Sequence, residues 1–207
     1  MREDGPVTER RPRADRLRTR AHLLDVMGRM LEAQGPDFSL PDLARESGVA
    51  IATVYRHFAD LGDLREEFYN RYVGGLVDDL AQLVAQYRGR QLVHEICRAW
   101  VESAMRWARA ATFIRSPDGY LERLHADDVF IRRLHGDVLE PAVRGLIDDG
   151  EIREQDVEYA ALLWITLFDE RVLIDLTQAL GWSVSRASGA LEASLMGALS
   201  ATPAPAN

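Results

Sequence analysis

The residues best suited to chemistry stand close together near position 55. Thr53, Tyr55, Arg56 and His57 carry hydroxyl, guanidinium and imidazole groups that donate hydrogen bonds to phosphate oxygens. Contacts of this kind position a protein on a nucleic-acid duplex. A structural interpretation stays open, with Tyr55 in the core and His57 at a helix end, where positive charge is favoured.

A basic segment lies further towards the N-terminus. Six arginines between Arg10 and Arg20 face one acid, Asp15, although the whole chain has 25 basic and 33 acidic residues. A basic arm ahead of a neutral module is typical of nucleic-acid binders, and a solvated tail is the alternative. We expect residues 1–15 to form a disordered basic arm.

The elements that must position this chemistry are two short helices. Ser39 followed by Asp42 predicts a helix start, because both side chains meet free amides of the first turn. The first helix is predicted from Leu40 to about Ser47, the turn at Gly48, and the second helix from about Ala50 to Arg56.

These helices have the pattern of a helix-turn-helix. Ala44 is small enough for a close crossing, Gly48 supplies the turn and Val54 faces the core. The second helix is too short to be stable alone. The Leu17–Leu31 helix and the helix that begins near Leu64 must therefore hold it.

Four short segments together form a recognisable pattern: Met30 to Gly35, Asp42-Leu43-Ala44, Ser47-Gly48-Val49, and Thr53 to Phe58 followed by Asp60 and Leu64. Through these segments residues 17–64, about a quarter of the chain, resemble the N-terminal domain of TetR/AcrR-type transcriptional repressors. The resemblance implies a homodimer that binds a palindromic operator in double-stranded DNA and is released by a small-molecule ligand.

The donor pattern and the resemblance together predict the DNA contacts. Three positions depart from the family: Ala50 replaces a usual Ser, Ile51 a frequent polar residue and Leu61 a usual Lys. We hypothesise that the arginine arm offsets this loss in a minor groove, and that Ile51 meets a thymine methyl group. The candidate contacts are Arg16, Arg18, Ser39, Leu40, Arg45, Ala50, Ile51, Ala52, Thr53, Tyr55, Arg56 and His57.

The rest of the chain also has helical periodicity and almost no strand signal. We predict an all-α fold of eight to nine helices, in which an N-terminal three-helix helix-turn-helix domain is followed by a larger helical ligand-binding and dimerisation domain. Pro141 should kink or break a helix over 129–147. The predicted domains are 16–62 for DNA binding and 63–200 for ligand and dimer, with a disordered tail at 201–207.

Two C-terminal helices, at about 156–180 and 183–199, are expected to form the homodimer. The first is apolar on nearly every face, which favours a partner, although a monomer with a thick core is the alternative. Within it, Arg171 and Asp175 are spaced as an i,i+4 pair. The charges of Asp169 and Glu170 serve either a salt bridge or a ligand pocket.

Aromatic side chains in the second domain suit a moderately large, flat or apolar ligand, although such a stripe also suits plain core packing. Nothing in the sequence selects the ligand. The candidate contacts are Trp100, Met105, Trp107, Phe113, Tyr120, Phe130, Trp164 and Phe168.

Several classes of protein are not expected. One cysteine, Cys97, excludes an intrachain disulfide and a cysteine metal cluster. We find no enzyme motif, and expect no catalytic residue, metal or cofactor. No apolar run is long enough to span a membrane, so we expect a cytoplasmic protein. The alternative function is a helical scaffold or protein-interaction module without DNA binding.

Overall fold

The computed structural model describes the backbone of residues 10–114 and 118–201, and the side chains of 14–105 and 118–201. Within these ranges the regular structure is entirely helical, as predicted. The chain divides into two compact units between Tyr69 and Asn70. This boundary lies beyond the predicted 62/63 boundary, because Leu64 and Phe68 are buried parts of the N-terminal core.

The N-terminal unit contains α1 (Arg10–Gln34), α2 (Leu40–Ser47), α3 (Ile51–His57) and the start of α4 (Leu61–Gln86). The helix α1 begins at Arg10, so residues 10–15 are helical, which corrects the prediction of a disordered arm over 1–15. Residues 1–9 of that arm lie outside the described residues. The apolar stripe of α1 begins after Leu17, whose side chain is exposed, and the buried core includes Leu23, Met27, Leu31, Leu43, Val54 and Phe58.

The start of α2 is capped by Ser39 and Asp42, as the sequence predicts. The backbone amide of Asp42 donates to the Ser39 hydroxyl oxygen, and the Ser39 amide donates to the Asp42 carboxylate at 3.0 Å. This reciprocal cap satisfies two amides that have no partner within the helix. At the other end Gly48 has φ of 68°, a left-handed conformation that glycine adopts without steric cost.

The second unit contains the end of α4 and the remaining helices. The final helix includes Ala201, and residues 202–207 of the predicted tail lie outside the described residues. The helices are α5 (Gly89–Ile114), α6 (Tyr120–His125), α7 (Val129–Arg133), α8 (Glu140–Asp148), α9 (Val157–Leu167), α10 (Glu170–Ile174) and α11 (Val184–Ala201).

The predicted irregularity near Pro141 is a π-helical turn, Leu134–Leu139, that joins α7 to α8. Proline has no amide hydrogen to donate to the carbonyl of Asp137, and its ring would clash with that carbonyl in a regular helix. The wider turn removes this conflict without ending the helix.

The segment 156–180 is not one continuous helix, which corrects our prediction. The helix α9 ends at Leu167, and Asp169 caps the start of α10 by accepting a hydrogen bond from the Arg171 amide at 2.9 Å. The Arg171 guanidinium also pairs with Asp169 at 3.0 Å, rather than with Asp175 as its spacing predicted. The Asp169 carboxylate therefore serves a helix start inside an apolar sequence.

Replacing Gly48 with Ala should destabilise the N-terminal unit by about 1–2 kcal/mol, because an L-residue is strained at positive φ. The matched control is Gly75→Ala in α4, which should stabilise the chain by about 0.5–1 kcal/mol. A Cβ at either position meets no atom within 4 Å, so the two variants differ in backbone conformation alone. Urea unfolding measures both, and equal effects would contradict the strain at Gly48.

Candidate nucleic-acid interface

The helix α3 presents one face to the core and the other to solvent. Val54 is fully buried, whereas Ile51 and Tyr55 are 40% and 53% exposed. Ala44, on α2, is buried at the crossing, and its carbonyl accepts a hydrogen bond from the Val49 amide at 3.1 Å. The predicted crossing about Gly48 is therefore present, with Ile51 and Tyr55 outward, whereas Thr53, which we also expected to face outward, is half-buried.

Side chains from α1 hold the C-terminal ends of α2 and α3. The Nε2 atom of His22 lies 3.0 Å from the Ser47 carbonyl oxygen, and Arg20 donates to the His57 carbonyl. These carbonyls lie in the last helical turns, where acceptors lack partners within the helix. The contacts fix both helices of the helix-turn-helix on α1.

Arg20 joins three helices of this unit. Its guanidinium forms a two-point ion pair with Glu67 of α4, and its carbon Cζ lies 4.5 Å from the centroid of the Phe58 ring. Both charged side chains are about 70% buried, so solvent screens the pair only partly. Sequence reasoning missed this role of Arg20, because no local pattern reveals a partner 47 positions away.

An open groove of about 530 Å³ separates the N-terminal half of α1 from α3. Three guanidinium groups, those of Arg16, Arg20 and Arg56, act electrostatically on His57 beside it. Burial first, and then these positive charges, lower the pKa of His57, so its imidazole is neutral at neutral pH. The groove is lined by Asp15, Arg16, Thr19, Thr53, Arg56 and His57.

The arginines of this surface differ in their availability. Arg18 pairs with Asp15, and Arg45 pairs with Asp42 at 2.7 Å. Hydrogen bonds from the hydroxyl and amide of Ser39, followed by that from Arg45, lower the pKa of Asp42 to about 2, so it stays ionised.

Arg16 and Arg56 have no acidic partner among the described residues. The guanidinium of Arg56 donates to the Thr53 hydroxyl oxygen at 2.8 Å, which holds it along α3. These two cations are the ones best placed to meet phosphates at the groove.

Two of the candidate DNA contacts, Leu40 and His57, have buried side chains, in contrast to the exposure that a direct contact needs. His57 nevertheless forms part of the lining of the groove between α1 and α3. Leu40 belongs to the buried apolar core. His57 lies on the inward face of α3, where its ring centroid is 6.4 Å from that of Phe58. Ser39, Ala50 and Ala52 are exposed, and Thr53 is half-buried.

Three candidate ligand contacts form an aromatic cluster. Trp100, Trp164 and Phe168 are buried, and the Phe168 ring centroid lies 5.6 Å from that of Trp100 and 6.4 Å from that of Trp164. Such tilted pairs stabilise a core beyond the area they bury. The structure places these rings together and leaves their contact with a ligand a prediction.

The other candidate ligand contacts are more scattered. Tyr120 is buried and its hydroxyl lies 2.8 Å from the Nδ1 atom of His135, while Met105 is exposed. The Phe130 ring packs closely against Gly74 of α4, 2.8 Å from an ideal Cβ position there. The side chains of Trp107 and Phe113 lie outside the described residues.

Within the described ranges, no cluster of three or more His, Cys, Asp or Glu side chains could hold a metal ion. None of the helices in those ranges is long and apolar enough to cross a membrane. The one cysteine, Cys97, is buried, and burial raises the pKa of its thiol.

Residues 23–68 match the family model of bacterial regulatory proteins, tetR family. The chain carries a tetR-family N-terminal domain. The matched segment contains the crossing of α2 and α3 and both ends of the Arg65 contact to the Pro36 carbonyl, which is 2.8 Å long. No curated protein sequence matches the chain significantly.

Solved structures share the fold over nearly the whole chain. The fatty acid degradation regulator FadR from Bacillus halodurans has a TM-score of 0.71 and 16% identity, over 96% of this chain and 98% of that one. FadR from Bacillus subtilis, in complex with stearoyl-CoA, has a TM-score of 0.69 and 16% identity, over 85% and 97%. A transcriptional regulator from Saccharomonospora viridis, in complex with choline, has a TM-score of 0.58 and 21% identity, over 86% and 95%. At these identities the likeness establishes the fold.

The Arg20–Glu67 pair should contribute measurably to stability. In a double-mutant cycle of Arg20→Met and Glu67→Gln, urea unfolding should give a coupling energy of about 1 kcal/mol or more. The exposed pair Arg144–Glu140 on α8 is the control, with an expected coupling of about 0.3–0.5 kcal/mol. A value for the first pair no larger than the control would show that solvent screening removes its contribution.

The start of α3 lacks the cap that α2 has. Ala50 at the N-cap position makes no side-chain hydrogen bond to the first turn. Ala50→Ser should therefore stabilise the chain by about 1 kcal/mol, and Ser39→Ala, which removes the existing cap, should cost a similar amount. Thermal and urea unfolding measure both changes, and an unchanged Ala50→Ser stability would mean that the hydroxyl does not reach the free amides.

Proposed function

We propose that this protein is a homodimeric, sequence-specific DNA-binding transcriptional repressor that a small molecule releases from its operator. The observation that carries the proposal is the outward face of α3, held by α1 and flanked by the groove that contains Arg16 and Arg56. In helix-turn-helix proteins the second helix enters the major groove. The family match at residues 23–68 supports this use of the N-terminal unit.

The proposed contacts with DNA divide into two kinds. Arg16, Arg56 and the Tyr55 hydroxyl are placed to meet phosphates, which set the position of the protein on the duplex. The exposed first turn of α3, residues 50–52, faces the base edges. Arg18 and Arg45 contribute less, because each would first have to leave an ion pair.

We place the homodimer interface at about 156–180 and 183–199. Tyr159, Val172 and Leu180 expose large apolar side chains there, at 45%, 37% and 61%. The helix α11 has one side that is buried within the subunit and one exposed side that carries the small residues Ser194 and Gly197. The buried side contains Ala187, Leu191, Leu195 and Leu199. That exposed side leaves room for close approach of a second helix.

The small molecule is assigned to the second unit, near the cluster of Trp100, Trp164 and Phe168. Two regulators of similar fold were solved in complex with stearoyl-CoA and with choline, which supports a small-molecule ligand for this chain. The ligand would release the dimer from its operator by favouring a spacing of the two α3 helices, one from each subunit, that does not fit half-sites one DNA turn apart.

The test is binding of the purified chain to DNA from upstream of its own gene. Wild-type protein should bind with a strong salt dependence and protect two symmetric half-sites from nuclease. Arg16→Gln and Arg56→Gln should each weaken binding and lower the slope of log affinity against log salt by about 2, because each substitution removes one phosphate contact from each subunit of the dimer.

The matched control is Arg144→Gln, an exposed arginine of α8, which should leave the slope unchanged. Absent binding, or binding without salt dependence, would favour the helical scaffold function instead. A one-sided footprint would contradict the dimer.

A further inference from the structure

The first turn of α3 presents hydrocarbon to solvent. Ala50 and Ala52 are exposed, and Ile51 between them is 40% exposed. None of these three side chains can donate or accept a hydrogen bond. The polar part of α3 begins at Thr53, whose hydroxyl already accepts a hydrogen bond from Arg56.

The position of this apolar turn matters for DNA recognition. In helix-turn-helix proteins, residues at the N-terminal end of the second helix contact base edges. Every base edge in the major groove offers nitrogen or oxygen atoms, and thymine adds a C5 methyl group. An isoleucine packed against the nitrogen or oxygen atoms of a base edge displaces water from them and offers no hydrogen bond in return, which is unfavourable. Against the methyl group, both partners lose apolar surface to water, which is favourable.

We propose that Ile51 reads the methyl group of one thymine in each half-site of the operator. This assignment rests on the proposed DNA-binding function and makes it specific. The polar side chains of α3 then bind phosphates, while discrimination at the base pair that faces Ile51 comes from apolar contact. The preferred ligand is thus double-stranded DNA with a thymine facing Ile51 in both half-sites.

The experiment removes the methyl group and nothing else. The full-length protein first selects its preferred duplex from a random library, and each thymine of that duplex is then replaced singly by deoxyuridine. One symmetry-related thymine pair should be sensitive, with an affinity loss of about fourfold per methyl group and more than tenfold when both half-sites are changed. The other thymines should tolerate the change.

A variant then assigns the effect to Ile51. In Ile51→Ala, the sensitive thymine and deoxyuridine should bind within about twofold of each other, because the contacting carbon atoms are gone. Ile51→Val should give an intermediate difference, and both variants are measured at low salt, where affinity is higher. Val129→Ala is the control, since Val129 is an equally aliphatic, exposed residue of α7, and it should keep the full difference.

Three results would overturn the proposal. Sequence-specific binding that tolerates deoxyuridine at every position would remove the thymine contact and leave the regulator function intact. A deoxyuridine effect that persists unchanged in Ile51→Ala would assign the methyl group to another residue. Failure of the wild-type protein to select any sequence would overturn this proposal and the proposed function together.

Discussion

The presentation of α3 depends on contacts from outside α3. A helix of seven residues, Ile51–His57, is too short to persist alone, and no side chain caps its start. Its stability comes from burial of Val54 and Phe58 and from the Arg20 contact to its last carbonyl. The orientation of α3 therefore depends on its packing against α1 and α2.

This dependence explains the distribution of charge in the N-terminal unit. Arg20 and Arg56 carry the same charge, but Arg20 is committed to Glu67 and the His57 carbonyl while Arg56 lies along the surface of α3. Arg20 therefore holds α3 in place, whereas Arg56 is available to a phosphate. Burial, and then the positive charges of Arg16, Arg20 and Arg56, lower the pKa of His57. The charges of Arg16 and Arg56 also favour an anion in the groove that these two residues line.

In the second unit, Asp169 and Pro141 do not suit the interior of a regular α-helix, and the helical structure changes beside each of them. Asp169 interrupts an apolar segment and caps a new helix, and Pro141 follows a π-helical turn that accommodates its missing amide. Leu139 in the π-helical turn and Leu173 in the new helix both stay buried. The aromatic cluster of Trp100, Trp164 and Phe168 is buried among the helices arranged in this way.

The sequence alone determined whatever depends on neighbours along the chain: the helical class, the bounds of α2 at Leu40–Ser47, its Ser39–Asp42 cap and the glycine turn at Gly48. These signals act over three or four residues, where spacing and side-chain type settle the hydrogen bonding. The tertiary structure alone decided that the side chains of His57 and Leu40 are buried and that Arg20 holds α3. Burial and ion pairing join residues far apart in the chain, and the free energy of such contacts depends on distances that only the folded arrangement sets.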